Sequence, residues 1–316
     1  MSDFEEYARL NIIDDRDADF SQWVTPEDKS LIKSSSEYQD EVETLLREGE
    51  KRIGESLPLR NTMQDFIFRA GELSVYSGYS GHKKSMLQSY IALGLVAQGT
   101  RVLIASFEMS PKRTLWRMAK QFSGKSEPDE NDLSLFFNFV SKNLYIYDQQ
   151  GTVSAKKMVG VSRFSIHKLG IKHIFIDSMM KLQIPDDNLN LQKWLVNELS
   201  SLARDKNSHI HLVAHSKKPQ SEGDERKLYP SKYGVSGSGN ITNVADNVLI
   251  SYSAKKGRVD HGQLEEYSHL LIIEKQRNGE LEPTYALDFY SNLQFSRVSE
   301  EASTMTPEKW STCDFN

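Results

Sequence analysis

Residues 78–85 read Gly78-Tyr79-Ser80-Gly81-His82-Lys83-Lys84-Ser85. The apolar stretch before them, at residues 73–77, is typical of a strand, and residues 85–98 after them are typical of a helix. A glycine-rich turn that opens a helix turns backbone N–H groups and the positive end of the helix dipole toward an anion. The stretch therefore predicts a phosphate-binding loop, in which Lys84 reaches the β- and γ-phosphates of a nucleotide and Ser85 ligates Mg²⁺.

Position 83 departs from the pattern GxxxxGK[ST], which has glycine where this chain has Lys83. A Cβ and a long side chain must fit where the backbone approaches the phosphates closely. Two effects are open: Lys83 distorts the loop and weakens nucleotide binding, or its charge adds to the attraction of phosphate. An ordinary glycine-containing turn between a strand and a helix is the alternative interpretation of the whole stretch.

The chain around this loop alternates short apolar segments with helical ones, starting near residue 66. Further strands are predicted at residues 101–107, 144–147, 174–176 and 210–214. Such alternation indicates an α/β fold with a central twisted, mainly parallel sheet and right-handed crossovers. Near the C-terminus, apolar segments at 267–275 and 282–290 flank Asn278-Gly279, which predicts a β-hairpin.

Three segments are expected: an acidic arm with a linker helix at residues 1–60, an α/β core at 61–300 and a C-terminal tail at 301–316. The helix is predicted within residues 37–55, where apolar residues recur at helical spacing. It either packs on its own domain as a solvated helix or docks on a neighbouring subunit.

Composition is that of an ordinary globular protein, with 38% hydrophobic and 26% charged residues in a chain of 316. The net charge of −5 combines a balance of −8 over residues 1–60 with +3 over the rest of the chain, and this mildly basic body permits nucleic-acid binding without demanding it. One cysteine, Cys313, excludes a disulfide framework within the chain and fits a reducing cytosol. Because no apolar run is long enough to cross a bilayer and the N-terminus is acidic, we expect a cytoplasmic protein without a membrane partner.

Two acidic residues follow predicted strands downstream of the loop. Asp177 ends the strand at 174–176 and is the candidate for the Mg²⁺-linked acid, while Glu108 ends the strand at 101–107 and is the candidate base for the attacking water. Since ligand groups gather at the carboxyl ends of parallel strands, both are expected beside the phosphate loop. The alternative for Glu108 is an acidic helix start.

His215 follows the strand at 210–214, where its side chain could sense a γ-phosphate; a surface histidine is the alternative. The loop after it, at 216–233, is basic, and the loop at 234–246 begins with Gly and Ser residues. These loops are either solvated connectors or contacts to a nucleic-acid backbone. The candidate contacts are Lys217, Lys218, Lys232, Ser236, Gly237, Ser238 and Gly239.

Lys275 and Arg277 stand just before the hairpin turn. Basic residues at a hairpin tip point away from their own phosphate loop. In a ring they would reach a neighbour's nucleotide, where an arginine neutralises transition-state charge in trans. A surface hairpin charge is the alternative.

Taken together, these stretches resemble the RecA-like motor domain of DnaB-type hexameric replicative helicases, especially phage and Twinkle-like members. The matching stretches keep the family's order across residues 66–295 and are Gly78–Ser85, Ser106-Phe107-Glu108-Met109, Ile174-Phe175-Ile176-Asp177, the strand before His215, Ser236-Gly237-Ser238-Gly239 and Lys275-Gln276-Arg277-Asn278-Gly279. The resemblance implies a RecA-like P-loop NTPase with a C-terminal β-hairpin, preceded by a short helical arm. It also implies ATP and Mg²⁺ as cofactors, and single-stranded DNA as a partner.

The same resemblance implies a role for each candidate residue. Lys84 and Ser85 would bind phosphate and Mg²⁺, with Asp177 as the linked acid and Glu108 as the catalytic base. His215 would sense the γ-phosphate, and Tyr290 would stack near the nucleotide base. Lys275 and Arg277 would act on the ATP of the adjacent subunit in a homo-oligomeric ring, a hexamer by resemblance, with primase or another replisome protein as a further partner.

Two departures from the family matter: Lys83 replaces its loop glycine, and only about 60 residues precede the core, too few for a primase domain or a full N-terminal collar. We therefore expect an ATP-dependent replicative DNA helicase motor whose ring relies on the short helix and the core. A RecA-like recombinase or repair ATPase that forms filaments is one alternative. A non-catalytic helicase-like adaptor, which Lys83 favours, is the other.

Overall fold

The structure is a computed structural model that describes residues 25, 32–48, 54–185, 187–216, 230–235, 239–254, 259–260, 263–264, 267–298 and 305–313. The chain divides into two units, Met1–Arg52 and Ile53–Asn316. Within the described residues, no helix has the length and apolarity that a membrane span requires.

The first unit contains a 3₁₀ turn, Ser35–Tyr38, that leads into helix α1, Gln39–Glu48. The backbone N–H of Ser34 donates to the Glu37 carboxylate (2.9 Å), which satisfies one of the amides that a helix start leaves unpaired. Val42 and Leu46 on α1 are 59% and 83% exposed, so the helix shows apolar residues to solvent. The predicted helix is confirmed over these ten residues; positions 49–53 of the prediction lie outside the described residues, and Glu55 belongs to a short strand instead.

The second unit is built on a nine-stranded sheet. Its strands are β3 (Leu73–Ser77), β4 (Val102–Ser106), β5 (Leu144–Ile146), β6 (His173–Asp177), β7 (His209–Val213), β8 (Asn247–Ser253), β11 (His269–Gln276), β12 (Thr284–Phe289) and β13 (Phe295–Arg297). Two short ribbons accompany it: β1 (Glu55–Ser56) with β2 (Ile67–Phe68), and β9 (Val259–Asp260) with β10 (Gln263–Leu264).

The strand order is β13-β12-β11-β8-β3-β7-β6-β4-β5. The six strands from β8 to β5 are parallel, and β11, β12 and β13 add an antiparallel edge. Helices cover both faces, as a parallel sheet requires. These helices are α2 (Lys84–Ala97), α3 (Pro111–Ser123), α4 (Glu130–Val140), α5 (Ala155–Leu169), α6 (Leu189–Asp205), α7 (Asn240–Val244) and α8 (Pro307–Thr312).

Two hydrophobic clusters form the core, one on each face of the sheet. The first joins the sheet to α2, α3, α4 and α8 through residues such as Leu87, Phe122 and Trp310. The second joins it to α5, α6 and α7 through Met158, Leu199 and others. Strands buried on both sides explain the nearly continuous apolar runs by which most of them were predicted.

The predicted mainly parallel sheet and the hairpin are confirmed, with two differences of detail. Strands β8 and β13 were not predicted, although β8 lies beside β3 at the centre of the sheet. The hairpin connection, residues 277–283, is longer than the two-residue turn that Asn278-Gly279 indicated. Gln276 Nε2 donates to Leu281 O (2.7 Å) and to Asp65 O (2.9 Å), which stabilises this wider turn.

The segment that the sequence predicted as a C-terminal tail contains α8. Its Trp310 is fully buried and lies edge-on to Tyr90 of α2, with ring centroids 5.4 Å apart. Gln294 connects the end of the sheet to this segment, since its amide accepts from Met305 N (3.0 Å) and donates to Met305 O (2.7 Å).

Candidate nucleotide-binding site

The predicted phosphate loop connects the C-terminal end of β3 to α2. Gly78 has φ +142°, and a Cβ there would overlap the carbonyl oxygen of Ser251 on β8. Glycine is therefore required at this position, because any side chain would displace the neighbouring strand.

Lys83 occupies the last position before α2 in a left-handed conformation, with φ 58° and ψ 21°. This conformation costs an L-residue roughly 1–2 kcal/mol, and glycine adopts it without that cost. The conformation explains why glycine is the pattern's residue here. Lys83 keeps the backbone conformation, while its ammonium points to Ser253 Oγ (3.0 Å) at the end of β8.

Lys84 turns back into the loop. Its Nζ donates to Gly78 O (2.7 Å) and Tyr79 O (2.8 Å), the carbonyls of the loop's first two residues. Burial lowers the pKa of Lys84 to about 8, and the charges of Asp177 and Glu108 oppose that shift. The side chain thus remains a cation at neutral pH, held by two carbonyl oxygens that an anion can replace.

Ser85 and Asp177 meet directly, since Ser85 Oγ donates to Asp177 Oδ2 (2.7 Å). Asp177 ends β6 and is 5% exposed. Burial raises its pKa to about 6; the Ser85 hydrogen bond opposes this shift, and the nearby Glu108 charge adds to it. A buried carboxylate paired with a hydroxyl is an oxygen-ligand set that suits Mg²⁺, so the residues fit the predicted metal.

Glu108 lies two residues beyond β4, the strand that pairs with β6. The register places Ser106 opposite Asp177, and Phe107 N donates to Asp177 O (2.9 Å). Ser178 Oγ donates to Glu108 Oε1 (3.3 Å), and the Glu108 side chain is exposed. A carboxylate with this exposure, next to Asp177, is accessible to a water molecule.

His215 follows β7 at the same edge of the sheet and is half-buried. Burial and the positive charge of Lys84 lower its pKa, while the charge of Glu108 acts in the opposite direction. The structure therefore brings together five sequence-predicted residues from four strand ends: Lys84, Ser85, Glu108, Asp177 and His215.

Tyr290 follows β12, whose C-terminal end reaches the same edge through Phe289. Its hydroxyl forms a hydrogen bond with Ser296 Oγ (2.9 Å), and the side chain is half-buried. The predicted stacking on a nucleotide base stays a prediction.

Lys275 and Arg277 lie apart from this group. Lys275 pairs with Val248 near the start of β8, at the opposite edge of the parallel strands. Its Nζ donates to the carbonyls of α7 and its end, Thr242 O (2.9 Å) and Ala245 O (2.6 Å) among them. Arg277 Nη1 pairs with Asp246 (2.9 Å), and 40% of the Arg277 side chain is exposed. Both residues point away from their own phosphate loop, as the hairpin position predicted.

The predicted nucleic-acid contacts Lys217, Lys218, Ser236, Gly237 and Ser238 lie outside the described residues. The other two are described. Lys232 Nζ donates to Glu274 O (2.9 Å), and Gly239 is exposed at the start of α7.

Sequence reasoning missed the residues that support the site from β8 and from the end of β6. Ser251 Oγ donates to His82 O (2.5 Å), Ser253 accepts from Lys83, and Ser178 holds Glu108. Ser251 and Ser253 are two residues apart, so on a strand their side chains lie on the same face. The sequence could have indicated this only if β8 had been predicted as a strand.

Comparison with known proteins agrees with this geometry. The family model described as DnaB-like helicase C terminal domain matches residues 63–297, most of the chain. Among solved structures, a protein fragment described as an ATPase domain superimposes with a TM-score of 0.70 at 17% identity, covering 84% of this chain and 99% of that one. A DnaB-like replicative helicase, whose interactions with primase were also determined, gives a TM-score of 0.65 at 17% identity, over 84% and 67% of the two chains.

At 17% identity, the two solved structures show only that this chain has the same fold, whereas the family model shows to which family it belongs. The chain therefore belongs to the DnaB-like helicase C-terminal domain family and carries the ATP-hydrolysing motor of a replicative helicase.

Proposed function

We propose that this chain uses ATP and Mg²⁺ to move along single-stranded DNA as a closed, hexameric ring of identical subunits. The observation that carries the proposal is the convergence of Lys84, Ser85, Asp177 and Glu108 at the carboxyl ends of neighbouring parallel strands. We further propose that it acts in the cytoplasm.

Each residue has a task that its position supports. Lys84 exchanges the carbonyls of Gly78 and Tyr79 for phosphate oxygens. Ser85 and Asp177 would hold Mg²⁺, which would supply positive charge to neutralise the phosphates. Glu108 orients the attacking water and accepts its proton. His215, whose pKa is lowered, is neutral at pH 7 and available as a hydrogen-bond partner for the γ-phosphate.

The hairpin is proposed to complete the site of the adjacent subunit. Arg277 and Lys275 lie at the opposite edge of the sheet from their own phosphate loop. In a head-to-tail ring that edge faces the neighbour's nucleotide, where a guanidinium neutralises the transition-state charge. Until the two side chains contact the neighbour's nucleotide, Lys275 is held by α7 and Arg277 is held by Asp246.

Arg277→Ala is expected to abolish DNA-stimulated ATP hydrolysis, and mixing it with Lys84→Ala is expected to restore part of it. Each variant alone lacks one half of every site, whereas a mixed ring contains some sites with Lys84 from one subunit and Arg277 from the next. Steady-state ATP hydrolysis across mixing ratios measures this directly.

The control for Arg277→Ala is Arg204→Ala, because Arg204 is the other arginine that pairs with Asp246 (3.3 Å). The Arg204→Ala variant removes a similar ion pair without changing the hairpin, so it should hydrolyse ATP at the wild-type rate. If the mixture is as inactive as its components, or if Arg277→Ala alone keeps wild-type turnover, the trans role of the hairpin is wrong. Electron micrographs with ATP and single-stranded DNA distinguish the ring from a filament of the recombinase kind.

The DNA path is proposed to run along the loops after β7 and before α7, with Lys217, Lys218, Lys232 and residues 236–239 as contacts. Basic side chains and backbone N–H groups of Gly-Ser segments bind a nucleic-acid backbone without regard to base. A primase or another replisome protein is a further proposed partner, by analogy with the DnaB-like helicase whose interactions with primase are known.

A further inference from the structure

Lys83 differs from the glycine of the pattern, and the structure shows what its side chain contacts. Its left-handed backbone is unfavourable for an L-residue. Contacts of the loop with its surroundings offset that cost, and the side chain of Lys83 supplies some of them.

The ammonium of Lys83 makes two contacts, both outside the phosphate loop. Its Nζ donates to Ser253 Oγ (3.0 Å) at the end of β8 and lies 4.9 Å from the ring centre of Phe289 at the end of β12. A lysine over an aromatic face is attracted by the ring's quadrupole, more strongly when the pair is partly removed from water. The side chain is half-buried, and that burial lowers its pKa.

The adjacent residue of the loop contacts the same strand end. His82 Nδ1 accepts from the backbone N–H of Ser253 (3.3 Å), and the His82 ring lies edge-on to Tyr252, 5.2 Å between centroids. Two successive loop residues thus contact one strand end, whereas Lys84 bonds only the loop's own carbonyls. Lys83 therefore attaches the loop to the sheet, while Lys84 lies where the phosphate is expected.

We propose that Lys83 is a positioning residue that ties the phosphate loop to the ends of β8 and β12 and so fixes the loop's shape before nucleotide binds. The inference rests on the proposed nucleotide site and assigns to Lys83 a role that a glycine cannot have. Loop order is then present in the nucleotide-free protein, and binding does not have to supply it.

The test compares Lys83→Met, which keeps the length of the side chain and removes the ammonium, with Lys83→Arg, which keeps a cationic donor. In the nucleotide-free protein, Lys83→Met is expected to speed hydrogen exchange of the amides of residues 79–85 by about tenfold, the effect of losing one charge-assisted hydrogen bond. Affinity for ADP should fall by about the same factor or less, because the loop must then be ordered on binding. Lys83→Arg should return both quantities close to the wild-type values.

Ser253→Ala provides the matched partner variant. If the tie exists, Ser253→Ala also speeds the exchange, and adding Lys83→Met to it has a smaller effect than Lys83→Met has alone, since the hydrogen bond is already lost and only the contact with Phe289 is left to remove. If Lys83 instead binds phosphate, Lys83→Met weakens ADP binding while exchange in the nucleotide-free protein and the affinity of Ser253→Ala stay as in the wild type. That pattern overturns the proposal.

Failure of the nucleotide site itself gives a different result. Wild-type protein that binds neither ADP nor ATP contradicts the proposed function. The exchange measurement, made without nucleotide, still decides the tie between Lys83 and Ser253.

Discussion

Lys84→Ala is expected to lower the kcat of ATP hydrolysis by about 10²–10³-fold, the usual cost of removing one group that stabilises transition-state charge. The ammonium is the cation nearest the loop's carbonyls, and it interacts electrostatically with both Asp177 and Glu108. Its removal takes one positive charge away from the place where the triphosphate is proposed to lie beside these two carboxylates. Steady-state hydrolysis with saturating single-stranded DNA measures the loss.

Lys168→Ala is the control for this variant. Lys168 is exposed in the last turn of α5, which precedes β6 and thus lies at the other edge of the sheet. It should hydrolyse ATP at the wild-type rate. Equal turnover of Lys84→Ala and Lys168→Ala contradicts the assignment of the phosphate loop.

Mild acid is expected to destabilise the core by about 2–3 kcal/mol between pH 7.5 and 5.5 through the buried pair His209 and His211. Burial lowers the pKa of each ring well below its ordinary value, and the neighbouring histidine charges act in the same direction. His211 bonds Tyr76 Oη (2.9 Å) and His173 Nδ1 (2.9 Å), and it stacks on Phe175.

The sign follows from proton binding. Both rings stay neutral in the folded protein, while in the unfolded chain they bind protons below about pH 6.5. The unfolded state therefore binds more protons as pH falls, so stability that is present above pH 6.5 is lost below it. Asp177, whose pKa is raised to about 6, takes up a proton in the folded state over the same pH range. This uptake stabilises the folded state and offsets roughly 1 kcal/mol of the loss.

Urea unfolding at the two pH values measures this loss. His211→Gln removes one titrating ring, so the difference in free energy of unfolding between the two pH values should shrink by about 1.4 kcal/mol, whatever the variant's absolute stability. His167→Gln, at an exposed position of α5, should leave the difference unchanged. An undiminished difference in His211→Gln shows that these histidines are not the cause.

Local pattern was sufficient to predict the phosphate loop and its acids. A strand, a glycine-rich turn and a helix are adjacent in sequence, and the rule that parallel strands end at one edge places Asp177 and Glu108 there without knowledge of the strand order. The contact between Ser85 and Asp177, 92 residues apart in sequence, confirms that inference.

Contacts between residues far apart in the sequence could not be predicted in the same way. The conformation of Lys83 depends on Ser253 and Phe289, which approach only because β8 and β12 join the sheet on that side. Strand β8 itself begins directly after the loop predicted at 234–246, and no strand is predicted over its residues from the sequence. The ion pair between Asp246 and Arg277 likewise can be recognised only when the pairing of β8 with β11 is known, because that pairing brings the two residues together.

The histidine cluster shows a signal that was present but unused. His209 and His211 alternate on β7 and so share one face, and His173 begins the neighbouring strand. The sequence showed this alternation, but whether the face is buried depends on Phe68 of β2, which packs on both rings.

The most direct test of the central claim is the rate of ATP hydrolysis by the wild-type chain, measured with Mg²⁺ in the presence and absence of single-stranded DNA. A site built from Lys84, Ser85, Asp177 and Glu108 and coupled to DNA loops predicts Mg²⁺-dependent hydrolysis that single-stranded DNA accelerates. Folded protein that hydrolyses no ATP above background under either condition would contradict the motor and leave a helicase-like fold without turnover.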